Sequence, residues 1–241
     1  ALAGYPRSAH AAHIRGHLFY EMGEREAGLA FLKDWMKDYS RDGLMHCHNS
    51  WHLALWLMET GRHAEAWSVY DDALRPGASW GPQINVATDC PAFLLRAEMA
   101  GEERQPERWK EIADYATKWF GKSALGFVDM HTALAYAMAG DKATLATFVE
   151  SPRGATADML PAMAQGFEAF ADGEWSRAAD EIRPLLDTHE RLGGSRAQRD
   201  LLEYIVTTSL ARAGRAAEAR ELISTRRPQN GKGNGFPVAG L

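Results

Sequence analysis

Apolar positions along this chain recur at three- and four-residue spacing, and a glycine interrupts the pattern at near-regular intervals. The stretch from Met45 to Gly61 shows it best, with Leu53, Trp56 and Leu57 forming an apolar stripe while His48 and His52 fall four apart on one helical face. The dividing glycines are Gly23, Gly61, Gly101, Gly140, Gly173 and Gly214, at spacings of 38, 40, 39, 33 and 41 residues. A period of that length, with a helical pattern on each side of every glycine, predicts helix-turn-helix repeats. The glycine supplies the left-handed backbone that ends the first helix of each pair.

First helices are expected at about 8–22, 43–60, 84–100, 125–139, 158–171 and 197–213, and second helices at about 25–39, 63–74, 106–120, 142–149, 175–189 and 216–225. Small residues after several glycines (Ala27 and Ala30, Ala64 and Ala66, Ala178 and Ala179, Ala216 and Ala217) are expected to let the second helix approach the first. Charges such as Lys33, Asp34, Lys37 and Asp38 read as solvated outer surface. Breaker-rich loops join the pairs, as at Arg75-Pro76-Gly77 and Ser151-Pro152-Arg153-Gly154. The expected fold is all-α, a solenoid of about six helix-turn-helix repeats over 1–226. A Gly/Pro-rich tail follows over 227–241.

Composition narrows the partners. The net charge of −5, from 27 basic and 32 acidic residues spread along the chain, gives no basic patch for nucleic acid. Apolar runs broken by His, Glu or Arg predict no membrane span. No basic-then-apolar leader is visible, and the absence of an initiator Met suggests a piece of a longer protein. Two cysteines, Cys47 and Cys90, do not make a disulfide framework, so a cytoplasmic location is expected. Cys47 reads as a buried, inert thiol.

Aligning the repeats on their glycines exposes a polar ladder. His13 and His17 lie ten and six residues before Gly23, and His48 and His52 thirteen and nine before Gly61. His131 lies nine before Gly140, Asp89 twelve before Gly101 and Asp200 fourteen before Gly214. First helices line the concave face of a solenoid, so these side chains are expected to converge in one groove. The two i,i+4 pairs make His13, His17, His48 and His52 candidate metal ligands, although neither pair carries the Glu of a His-Glu-x-x-His motif. Trp51, Trp56 and Trp67 read as packing. Ser195, after Gly193-Gly194, is an expected N-cap with an alternative role at an anion-binding turn. Arg199 is expected to meet an acidic ligand or a groove carboxylate.

These pieces resemble the tetratricopeptide repeat protein 38 family. The resemblance rests on His13-x-x-x-His17, His48-Asn49-x-Trp51-His52, Tyr70-Asp71, Asp89 ahead of Leu94-Leu95-Arg96, His131-x-Ala133-Leu134, and Leu192-Gly193-Gly194-Ser195-x-Ala197-Gln198-Arg199-Asp200. It implies an α-α superhelix with an inner groove and places this chain in the family's C-terminal part. It brings no established reaction and no known cofactor. The family usually has His where Arg196 stands here.

Three functions remain open on the sequence. One is a binding protein whose groove, lined by His13, His17, His48, Asn49, Trp51, His52, Asp89, His131, Ser195, Arg199 and Asp200, takes a small molecule, peptide or partner protein. The alternative is an enzyme or metal site with His48, His52 and His131 as acid-base groups or ligands, oriented by Asp89 and Asp200. In the third, the polar residues merely cross-link adjacent repeats.

Overall fold

The computed structural model describes residues 2–226; the expected tail at 227–241 lies outside the described residues. Among the described residues the chain is helical, with no strand. The α-helices are α1 (Ala9–Met22), α2 (Arg25–Met36), α3 (His46–Glu59), α4 (His63–Val69), α5 (Gln83–Met99), α6 (Pro106–Phe120), α7 (Gly126–Met138), α8 (Lys142–Val149), α9 (Leu160–Ala171), α10 (Trp175–Ile182), α11 (Arg196–Arg212) and α12 (Ala216–Arg226). No described helix is long and apolar enough to cross a membrane.

All six glycines do what their spacing predicts. Gly23 adopts φ 70°, its N–H reaches the Tyr20 carbonyl, and the next N–H, of Glu24, reaches back to Phe19 at 3.0 Å. That crossed pair is a Schellman turn, and it needs a residue without a Cβ penalty at positive φ. The same pair recurs at Gly61, Gly101, Gly140, Gly173 and Gly214, closed by the N–H groups of Arg62, Glu102, Asp141, Glu174 and Arg215.

Some boundaries differ from expectation. The second helix of the fifth pair stops at Ile182 rather than running to 189, and two short 3-10 segments follow, Arg183–Asp187 and His189–Leu192. Pro184 explains this, because it lacks the amide hydrogen that would bond one turn back. α2 ends at Met36, and the last turn of the fourth helical segment widens into a π-helix over Tyr70–Leu74. The small-residue expectation holds at Ala66, Ala178 and Ala179, which are buried, but Ala27, Ala30 and Ala64 face solvent. Gly28 makes the close approach instead: a methyl there would lie 2.8 Å from the Trp56 ring.

Consecutive helices pack on one another, with the Tyr70–Leu74 π-helix rather than α4 meeting α5, and α3, α5, α7 and α9 also touch in succession. α11 lies against α5 as well as α10, and nearly all of it is buried. Its contacts reach back to the first helix: Tyr20 donates to Asp200 at 2.5 Å. This convergence of α1, α3, α5, α7 and α11 sets the ground for the site.

A cross-helix histidine cluster

α1 and α3 each contribute one pair of histidines a helical turn apart. Trp56 of α3, 1% exposed, sets their relative position, since its ring fills the space beside Gly16 and Gly28. The two helices thereby bring His13 and His17 face to face with His48 and His52. Ring centroids lie 4.4 Å apart for His13–His17, 4.8 Å for His13–His48, 4.7 Å for His17–His52 and 5.0 Å for His48–His52. One ring nitrogen from each histidine lies within 4.8 Å of the others. His48 and His52 are buried, while His13 and His17 keep part of their surface in solvent, so the cluster opens on the α1 side.

The tautomers follow from the partners. The buried Asp89 carboxylate accepts from His48 Nδ1 at 2.8 Å, which leaves the His48 Nε2 lone pair directed away from Asp89. His13 and His17 share a proton between their Nε2 atoms at 2.8 Å. His52 Nε2 is buried with no hydrogen-bond partner among the described residues. Burial, reinforced by the neighbouring imidazoles, lowers His13 to about 3 and His17 to about 4, and pushes His52 well below its ordinary value. The three are therefore neutral near pH 7 and present lone pairs.

Buried aromatic, cationic and amide side chains pack around them. Trp51 stacks on His48 at 5.4 Å and meets His52 edge-on at 4.8 Å, with its Nε1–H buried and without a partner among the described residues. Arg96, 1% exposed, lies over the rings of Trp51 and Tyr204 and donates to the carbonyls of Ala92 and Ala197. Asn85 donates to Asp89 Oδ2 at 3.4 Å, and Asp89 Oδ1 has no partner among the described residues. Asn49 is fully buried and neither end of its amide is bonded among the described residues.

The remaining sequence candidates are placed differently. His131 is fully buried on α7, where its Nδ1 donates to the Phe127 carbonyl at 2.7 Å and its Nε2 has no partner among the described residues. It forms no ring contact with the four histidines, although Asp89 and Arg96 both influence it; burial lowers it to about 4. Asp200 is held by Tyr20, with Arg196 Nε 3.8 Å away. Arg196 also pairs with Glu21 at 3.0 Å. Ser195 caps α11, its N–H bonded to the Gln198 side chain. Arg199 does not meet a carboxylate: its guanidinium donates to the Gly194 carbonyl at 2.5 Å, because the tight Gly193-Gly194 turn brings that carbonyl within reach. Cys47 is an inert thiol, raised by burial to about 12.

Sequence reasoning passed over Tyr20 and Tyr204, and gave Arg96 no role beyond its place in the Leu94-Leu95-Arg96 motif. Arg96 offered one signal, a cation in the otherwise apolar run Phe93-Leu94-Leu95-Arg96-Ala97. Fold and cluster together define an all-helical protein with a partly open, four-imidazole centre between two helices. No family model matches the chain, and no solved structure matches it.

Proposed function

We propose that this protein binds a transition-metal ion through His13, His17, His48 and His52. The observation that carries the reading is the convergence of four ring nitrogens, from two i,i+4 pairs on separate helices, to within 4.8 Å of one another. Metal–imidazole bonds of about 2.1 Å set tetrahedral nitrogens about 3.4 Å apart, so closing the cluster requires adjustments of about 1 Å. Binding through both Nε2 atoms of His13 and His17 moves their shared proton to Nδ1 with no net loss. Asp89 behind His48 is the carboxylate partner that ligating histidines typically have. Neutral imidazoles favour zinc, copper, nickel or iron over calcium and magnesium.

The scaffold is read as a solenoid of tetratricopeptide-like repeats. Six Schellman turns at near-regular spacing and the successive contacts of α3, α5, α7 and α9 support it, and with it the resemblance to the tetratricopeptide repeat protein 38 family. Peptide docking along an open groove has less support, since α11 bonds to α1 and α5 across the interior. The two buried free thiols favour a reducing compartment such as the cytoplasm.

The test is metal analysis of protein purified without chelator, followed by calorimetric titration of the stripped protein with zinc, copper and nickel salts. One ion per chain, lost in the His48→Ala/His52→Ala double variant, is expected. Equal binding by the double variant, with both proteins folded by circular dichroism, would refute it.

A further inference from the structure

Charge and hydrogen-bond demand around the cluster go further than the ligand set. Four neutral imidazoles leave the double charge of a divalent ion uncompensated at a site where two of the ligands are buried. Asp89 supplies one negative charge behind His48, but Arg96 stands close enough to His52 to act on it electrostatically. The Arg96 guanidinium is bonded to backbone carbonyls, and no carboxylate pairs with it among the described residues. Beside it, the Trp51 indole N–H is buried without an acceptor among the described residues, while its ring touches both His48 and His52. The Asn49 amide is a further unbonded donor one residue from His48. A buried cation, unaccepted N–H donors and a metal centre with neutral ligands all call for the same thing, an anionic acceptor.

We propose that the four-histidine metal takes a small carboxylate as an exogenous ligand, held on the ion and stabilised by Arg96 and the Trp51 N–H. This inference rests on the metal reading above. The carboxylate enters past the half-exposed His13 and His17, the side on which the cluster opens. An oxyanion matches the planar donor fork of arginine, and a small one matches a centre whose inner ligands are buried.

The experiment uses the whole chain, stripped and reloaded with cobalt(II), whose visible bands report its ligands. Acetate is titrated at constant ionic strength, with the cobalt content measured in parallel. Saturable band shifts are expected at one cobalt per chain. In Trp51→Phe, which keeps an aromatic ring and loses the indole N–H with the pyrrole ring that carries it, acetate affinity falls at least about tenfold when compared at equal cobalt occupancy. Arg96→Gln gives a loss of the same order if it folds, and Trp51→Phe decides the matter if it does not. Bands unmoved by acetate at full cobalt occupancy, or shifts of equal affinity in Trp51→Phe, overturn the carboxylate site and leave the metal site standing. Failure to take up cobalt, zinc, copper or nickel overturns both.

Discussion

Acidification of the metal-free protein tests the buried histidines directly. His131 is 0% exposed, and burial lowers it from 6.5 to about 4. Its folded pKa is depressed, so the stability it contributes is complete above about pH 6.5, where it is neutral in both states. That contribution is lost as pH falls toward 4, because the unfolded chain takes up the proton first. Linkage then gives a loss of about 2 kcal/mol at pH 5 and about 3 kcal/mol at pH 4 from this residue alone. His52, buried and shifted the same way, adds to the loss over the same window. Carboxylates with ordinary pKa values titrate mostly below pH 5, so histidines dominate between pH 7.5 and 5. Urea unfolding in the presence of a chelator, followed by tryptophan fluorescence, measures the difference, and His131→Gln isolates the single residue. The wild-type protein is expected to lose stability from pH 7.5 to 5, and His131→Gln to lose about 2 kcal/mol less over that span. An identical pH dependence in the two proteins would show that His131 is not held neutral by burial.

Other perturbations follow from the same geometry. Asp89→Asn is expected to weaken metal binding about 10- to 100-fold by removing the carboxylate behind His48, and calorimetry with unchanged stoichiometry checks it. Gly28→Val forces side-chain atoms into the Trp56 ring and is expected to cost about 1–3 kcal/mol in urea melts, with metal affinity falling because α1 and α3 separate. Gly61→Ala meets no atom within 4 Å, so its expected cost of about 1 kcal/mol reports the left-handed backbone alone; a neutral effect would count against the Schellman turn. Tyr20→Phe removes the hydrogen bond to Asp200 and is expected to lower stability by about 2 kcal/mol, measured in the same melts.

The helix pairs were legible in the sequence because the device that ends each first helix demands one residue type. Only glycine takes the positive φ of Gly23 or Gly140 freely, so the turn is written in the chain itself. The i,i+4 spacing of His13 with His17, and of His48 with His52, was equally local. What spacing could not supply was the register between α1 and α3. That depends on the Trp56 ring beside Gly16 and Gly28, a three-helix arrangement with no one-dimensional signature. The offset alignment therefore grouped His131 and Asp200 with the four histidines, whereas packing assigns them other neighbours. Tyr204 escaped notice, and Arg96 was given no role, because their informative contacts, Arg96 with Ala197 and Tyr204 with Tyr20, link residues 101 and 184 positions apart.

The bond between Tyr20 and Asp200 spans 180 residues, and it bears on the order in which the molecule is made. A chain of helix pairs stabilised only by nearest neighbours assembles progressively from its first pair as it leaves the ribosome. Here the first helix gains its last partner only when the eleventh has emerged, a delay of about 10–40 s at ordinary synthesis rates. During that interval His13 and His17 sit on a helix lacking one of its supports. Metal captured then, by the two pairs already made, would hold α1 on α3 until α11 arrives.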